Sequence, residues 1–267
     1  MPVERVLFVN QGITPYVEAS YESKIGRDLP ISILEKGVDA RIFMPKYGFI
    51  NDKKSFLHEV IRLSSQNLVV NTRSRPLIIK VTSIPTWQRH IYFVYNEYYF
   101  DRMQMMTDPR GMLFSDNDER AIFYACGVFE TIRNLGWSPD IIHCHGWISC
   151  LVPLLLKKFY SDNPLFSKTK VVYSVYADHA KKSLSLRFGK KLNELGIPLE
   201  DASRYRGVSY ETALKLAIDY SDGVVIAHEK VSKEIREHIA KVHKPTIEHR
   251  ENKYGNYYLK LYNRVYK

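Results

Sequence analysis

The 267-residue sequence contains no apolar run approaching the roughly 18 residues of a membrane span. Its first ten residues, Met1 to Asn10, also lack the basic and long apolar segments of a secretory signal. A membrane protein is therefore not expected, and the sequence points to the cytoplasm. Cysteine is scarce. Cys126, Cys144 and Cys150 are odd in number and lack metal-ligand spacing, which argues against a disulfide framework or a zinc site and leaves them as small core residues. No metal and no organic cofactor are expected. Internal repeats and low-complexity tracts are absent. Acidic residues are outnumbered, 29 against 39 Lys and Arg, for a net charge of +10. That charge would attract polyanions. However, no helix-turn-helix, RNP or zinc-finger pattern accompanies it, so the basic groups at Lys181, Lys182, Arg187, Lys190 and Lys191 read as a solvated face rather than a nucleic-acid site.

What is present is an ordinary folding composition. Hydrophobic residues make up 45% and charged residues 25% of the chain, enough to bury a substantial core in one large domain. Short β-branched runs alternate with helical patterns, which predicts an α/β, Rossmann-like three-layer fold with a parallel sheet. Val3 to Asn10 reads as a strand whose centre, Val6 to Val9, is continuously apolar, as befits a strand covered on both faces. Leu29 to Lys36 reads as a helix ending at Gly37, with Ala40 to Met44 as the next strand. Leu77 to Ile84 and Ile91 to Tyr95 flank Pro85 and polar residues, which predicts a hairpin-like insertion.

The clearest helix starts at Asp116, where Asp116 and Glu119 have the spacing of a capping box. Ala121, Ile122, Ala125, Val128, Phe129, Ile132 and Leu135 then recur at helical spacing until Gly136. Asp140 to Cys144, Val171 to Tyr176 and Gly223 to Ala227 read as strands. Helical patterns cover Trp147 to Tyr160 and Tyr210 to Tyr220. Ala177 to Ser209 is polar, basic and weakly patterned, a long excursion or lid. From Tyr254 onward, Tyr258, Leu261, Tyr262 and Val265 are spaced as a helix packing its Tyr/Leu stripe on the domain. The expected organisation is one domain over residues 1–245, with the lid at 177–209, and a basic, tyrosine-rich helix or tail over 246–267.

Ligands of open parallel sheets sit beyond the carboxyl ends of the strands, so three segments draw attention: Gly12 to Gly26, His143 to Trp147 and Tyr176 to His179. His143 and His145 share one face of their strand. His143 reads as a satisfied core residue. His145, at the strand tip, reads as a group able to bond a sugar hydroxyl or stabilise a departing leaving group.

The run from Asp116-Asn117-Asp118-Glu119-Arg120 through Gly136-Trp137-Ser138-Pro139-Asp140-Ile141-Ile142-His143-Cys144-His145-Gly146-Trp147, then Leu151-Val152-Pro153, closely resembles the starch/glycogen synthase family. That family carries D-N-x-x-R-F, G-W-x-P-D-I-I-H-x-H-D-W and L-x-P in the same order. Gly37 to Arg41, Met44 to Tyr47, Tyr99 to Arg102 and Ala217 to Asp222 are similar to further family segments, so the resemblance spans most of residues 1–240. It implies the N-terminal half of a GT-B fold and a retaining transfer of glucose from ADP-glucose to an α-1,4-glucan. It also implies catalytic positions at Asp116 and His145, with Asp116 equally readable as a helix cap. Glu18, Ser20, Tyr21, Asn117, Arg120, Trp147 and Tyr176 fall at positions implied to surround the substrate.

The departures matter as much. In the family's K-x-G-G-L loop, Glu18 replaces the lysine, and Ser20 and Tyr21 replace the glycines. An acid repels a diphosphate, and side chains block close backbone approach. Gly146 replaces the aspartate of H-D-W, and Ser174-Val175-Tyr176-Ala177 replaces T-x-H-N. The family's C-terminal, nucleotide-binding domain is not within these residues. The expectation is a synthase-like domain inactive alone, requiring a partner that supplies the second domain, or a non-catalytic glucan-binding or regulatory relative. Expected ligands are an α-glucan or a nucleotide sugar.

Overall fold

The computed structural model describes residues 2–84, 89–177, 183–250 and 254–267. Pro85, His179, Lys181, Lys182 and Lys253, all part of the sequence reading, lie outside the described residues. The chain opens with strand β1 (Arg5–Asn10), helix α1 (Tyr21–Leu34) and strand β2 (Asp39–Pro45). Helix α1 starts eight residues before the expected Leu29. Its buried stripe of Ile25, Leu29 and Ile33 recurs every four residues, but its first turn is polar and carries no apolar signal. The segment expected to be a loop is therefore partly the start of a helix.

Strands β3 (His58–Glu59), β4 (Gln66–Val70), β5 (Arg73–Ile84) and β6 (Arg89–Tyr95) follow. β5 and β6 pair antiparallel, as expected of a hairpin, yet β6 also pairs parallel with β2 and so belongs to the central sheet. After α2 (Glu97–Phe100) comes α3 (Asn117–Leu135), stopped by Gly136 in a left-handed conformation (φ 59°) that glycine adopts without penalty. Strand β7 (Ile141–His145), α4 (Val152–Lys158) and β8 (Lys170–Val175) complete the centre.

Residues 183–209 hold α5 (Phe188–Leu195) and α6 (Leu199–Ala202), with Phe188, Leu192, Ile197, Ala202 and Tyr205 buried. Their short helices explain the weak periodicity of this stretch. Helix α7 (Tyr210–Tyr220), strand β9 (Gly223–Ile226), helix α8 (Lys233–Lys241), strand β10 (Thr246–Glu248) and helix α9 (Gly255–Val265) follow. The expected tail begins at residue 246, but β10 pairs with β9 in the sheet. Helix α9 buries Tyr258, Leu261, Tyr262 and Val265, the stripe anticipated from their spacing.

The sheet order is β10-β9-β8-β7-β1-β2-β6-β5-β3, with β4 on β5. From β10 to β6 every pairing is parallel, giving the expected Rossmann-like α/β half-fold with an antiparallel margin. Helices α1 and α9 pack together on one side, while α3, α4, α7 and α8 form a continuous row on the other. Every residue of β7 is buried, as in a strand covered on both faces. Cys126, Cys144 and Cys150 are free and buried. Among the described residues, no helix is long and apolar enough to cross a membrane.

Candidate functional site

The chain leaves β1 toward β2 on one side and returns as β7 on the other. This reversal opens a crevice beyond the carboxyl ends of β1 and β7, the place where doubly wound sheets hold ligands. The Gln11 N–H donates to the His145 carbonyl at 3.0 Å, closing its floor. Two adjoining cavities lie there. One, about 160 Å³, is walled by residues including Gln11, Glu22, Trp147, Tyr176 and Tyr210. The other, about 270 Å³, is walled by residues including Gln11, Glu18, Ser20, Glu22 and Met105. A third, about 520 Å³, lies at the ends of β9 and β10, lined by residues including Tyr21, His228, Arg236, Glu248 and His249.

The first turn of α1 separates these spaces, and two of its N–H groups are paired within it. Ser20 is extended (φ −124°, ψ 172°), and its Oγ accepts the Ser23 N–H at 3.1 Å while Ser23 Oγ accepts the Ser20 N–H at 2.8 Å. A helix N-terminus binds anions through such N–H groups. Here this reciprocal cap uses two of them internally. Glu22 follows with its carboxylate against Gly146. Gly146 has φ +79°, and a Cβ there would fall on Glu22 Oε1 and within 2.9 Å of Gln11 Oε1. The Gly146 carbonyl is gripped by the Tyr173 and Ser149 hydroxyls, each at 2.8 Å.

The two histidines of β7 differ as anticipated for His143 and in a new way for His145. His143 is fully paired, Nδ1 with Tyr262 Oη at 2.7 Å and Nε2 with Ser174 Oγ at 2.8 Å. His145 is fully buried and lies beneath the cleft. Its Nδ1 shares a 2.8 Å hydrogen bond with Tyr176 Oη, and its Nε2 makes none. Burial, and to a lesser extent His249, pushes the His145 imidazole down to about 3, so the ring is neutral at neutral pH. Burial and then the Glu22 charge hold the Tyr176 phenol protonated.

The start of α3 corrects one expectation. Asp116 occupies the N-cap position but makes no side-chain cap. Its carboxylate instead receives a bidentate pair from Arg102, at 2.8 and 2.6 Å, a geometry suited to guanidinium. Glu119 does not turn back to the cap either. It accepts from Tyr99 Oη at 3.0 Å and Asn71 Nδ2 at 2.9 Å, and pairs with Lys191 at 2.9 Å. Lys191 also meets the fully buried Asp118 at 2.7 Å. Arg120 is buried and donates to the Tyr99 and Met105 carbonyls and to Asn117 Oδ1. Burial draws its guanidinium down to about 10, so it stays charged.

Of the residues marked in the sequence, Glu18, Ser20, Trp147 and Tyr176 line the central cavities, while Tyr21 faces the third. Asn117 stands behind the wall, donating to Tyr210 Oη at 2.6 Å, and Arg120 holds Asn117 and the Met105 carbonyl. Asp116 and His145 line none of these cavities. Gln11, Glu22, Met105, Met106 and Tyr210 also line the central cavities, outside the motifs that mark the other residues. Gln11 and Glu22 lie at or within a strand-end segment already marked. Tyr210 reaches Asn117 from 93 positions away, a pairing that local sequence spacing does not reveal.

A profile described as the starch synthase catalytic domain matches residues 5–245. The chain belongs to the starch/glycogen synthase family. Among curated relatives, it is 41% identical over 189 residues to the glycogen synthase of Chlorobium limicola, covering 70% of this chain and 39% of that protein. It is 42% identical over 173 residues to that of Chlorobaculum tepidum, covering 64% and 36%. The chain thus spans well under half the length of these relatives. The catalytic domain of Starch Synthase IV from Arabidopsis thaliana, solved bound to ADP and acarbose, superposes with a TM-score of 0.73 at 17% identity, covering 93% of this chain and 51% of that one. Against the synthase pattern, the departures at Glu18, Ser20, Tyr21 and Gly146 fall together around the start of α1.

Proposed function

We propose that this chain serves α-1,4-glucan metabolism in the cytoplasm as the sugar-facing half of a synthase, without turning over a nucleotide sugar by itself. The observation that carries this reading is the central cleft. Its walls offer Trp147, Tyr176 and Tyr210 with Gln11 and Glu22, the mixture of flat apolar faces and hydrogen-bonding groups that suits a sugar ring. Among the described lining residues of both central cavities there is no Lys, Arg or His. A leaving diphosphate needs charge stabilisation, and none of these described residues supplies it. A family likeness to the Arabidopsis enzyme, which was solved with ADP and acarbose, supports ligands of the nucleotide and oligosaccharide classes. The cleft chemistry favours the second.

In this reading His145 acts from beneath the cleft, holding Tyr176 in its wall, and Asp116 holds Arg102. His145→Ala should weaken sugar binding more than His143→Ala in folded protein; the reverse order would remove His145 from the site. The decisive experiment is calorimetry of the chain with maltotriose and with ADP-glucose. Maltotriose binding without donor binding is expected, and measurable ADP-glucose affinity would overturn the reading. A second test adds a nucleotide-binding domain of a synthase in trans. Transferase activity on adding such a domain would show that the cleft retains its catalytic geometry.

A further inference from the structure

Of the three cavities at the strand ends the third is the largest, about 520 Å³, and it shares no described lining residue with the other two. It lies beyond the carboxyl ends of β9 and β10, on the same side of the parallel sheet as the central cleft. The start of α1 borders both spaces. Ser20 and Glu22 line the central cavities, and Tyr21, between them in the chain, lines the third. The Tyr21 ring stands edge-on to two imidazoles, its centroid 5.1 Å from that of His228 and 5.6 Å from that of His249. The rest of the lining is preset. Arg236 of α8 donates to the Glu229 and Val231 carbonyls at 3.1 and 3.3 Å and pairs with Glu248 of β10 at 2.9 Å. These ties hold the loop after β9 against the end of β10 before any ligand arrives. Within that loop the Lys230 N–H donates to His228 Nδ1 at 3.0 Å, so the proton of the neutral imidazole sits on Nε2. His228 thus brings an N–H donor to a lining that also holds carboxylate acceptors and aromatic surface. That mixture suits hydroxyl groups, which both donate and accept.

We propose that the third cavity is a second glucose-binding subsite, and that one long α-1,4-glucan occupies it together with the central cleft, crossing the start of α1 at Tyr21. The inference rests on the central cleft being the sugar site. The spacing of the sheet sets the reach required. Only β8 separates β7 from β9, and β10 lies one strand further, so the two spaces are about 10–15 Å apart along the sheet. A glucan covers that distance only once it extends beyond the cleft. Every unit of the polymer carries the same hydroxyl pattern, so rings of one chain can enter both sites. Binding in the cleft raises the local concentration of the remaining rings at the second site, which then adds affinity without being strong on its own. A short oligosaccharide gains nothing from it.

The test titrates maltotriose and maltoheptaose into the full chain by calorimetry. Maltoheptaose is expected to bind at least about tenfold more tightly than maltotriose. His228→Ala should reduce that gain by about threefold or more, as for one lost hydrogen bond, with maltotriose affinity as before. His228→Gln, whose amide still donates, should keep more of the gain than His228→Ala. Equal affinity for the two oligosaccharides, or a gain that His228→Ala leaves intact, would overturn the second subsite while leaving the central site standing. Failure of maltotriose to bind would instead remove the central site, and this inference with it. A second measurement follows the His228 ring by NMR in the unchanged protein. Its signal should shift saturably with maltoheptaose and stay in place at saturating maltotriose. A signal that moves with both, or with neither, would overturn the proposal.

Discussion

Helices α1 and α3 both begin in or beside the same cleft, and their first turns are satisfied in opposite ways. At α1 the polar residues serve the helix itself: Ser20 and Ser23 cap each other, and Glu22 fills the space over Gly146. At α3 they serve everything else. Asp116 leaves its helix uncapped to hold Arg102, Arg120 ties down the Tyr99 and Met105 carbonyls, and Asp118 with Glu119 binds Lys191 from α5. The difference shows how one cleft is built from two kinds of helix start. The α3 turn ties the cleft's wall to the rest of the domain, and the α1 turn places Ser20 and Glu22 on its lining.

If that division holds, the α3 turn should be costly to disturb and the α1 turn cheap. Arg120→Met is expected to have the largest effect, about 3–5 kcal/mol in urea unfolding, because it strands three buried acceptors. Lys191→Met should cost about 3 kcal/mol by leaving the buried Asp118 carboxylate unpaired. Its neighbour Lys190, in an exposed pair with Glu194, should change stability by under about 0.5 kcal/mol when replaced by Met. Equal costs at 190 and 191 would erase the contrast.

Acid should act through the histidines of β7. Burial lowers His143 well below its usual range and His145 to about 3, so below a pH of about 6.5 the unfolded chain binds protons that the folded chain refuses. The histidine contribution to stability is therefore flat above about pH 7 and falls as the pH drops, by up to about 1.4 kcal/mol per pH unit for each histidine. Unfolding free energies at several pH values should show a slope about one proton smaller in His145→Gln than in the unchanged protein. At α1, Ser20→Ala should cost about 1 kcal/mol, as for a lost cap. Asp116→Asn should cost less, through a weakened and partly exposed Arg102 pair.

Much of the scaffold was legible. The stripe from Ala121 to Leu135, the Tyr210–Tyr220 helix and the Tyr258–Val265 stripe are long apolar repeats, and each forms the helix it predicts. The start of α1 was not, because its first turn faces the cleft with polar residues and carries no repeat. The capping box at Asp116 failed for a tertiary reason. Arg102 competes for the same carboxylate and holds it through two charged hydrogen bonds, which outweigh one backbone cap. The site was legible in its strand ends and in the family motif. It was hidden where distant residues converge, as with Tyr210 on Asn117, and where Glu22 fills the space above Gly146.

The central claim is that the cleft beyond β1 and β7 takes a sugar. The chain has three tryptophans, and their indole N–H resonances can be followed by NMR, with Trp147→Phe assigning one. Trp137 Nε1 is committed to Asp39 at 3.0 Å, whereas Trp147 Nε1 makes no hydrogen bond. On titration with maltotriose, the account predicts a saturable shift of the Trp147 signal while that of Trp137 stays in place. A Trp147 resonance that does not move at saturating maltotriose would contradict it.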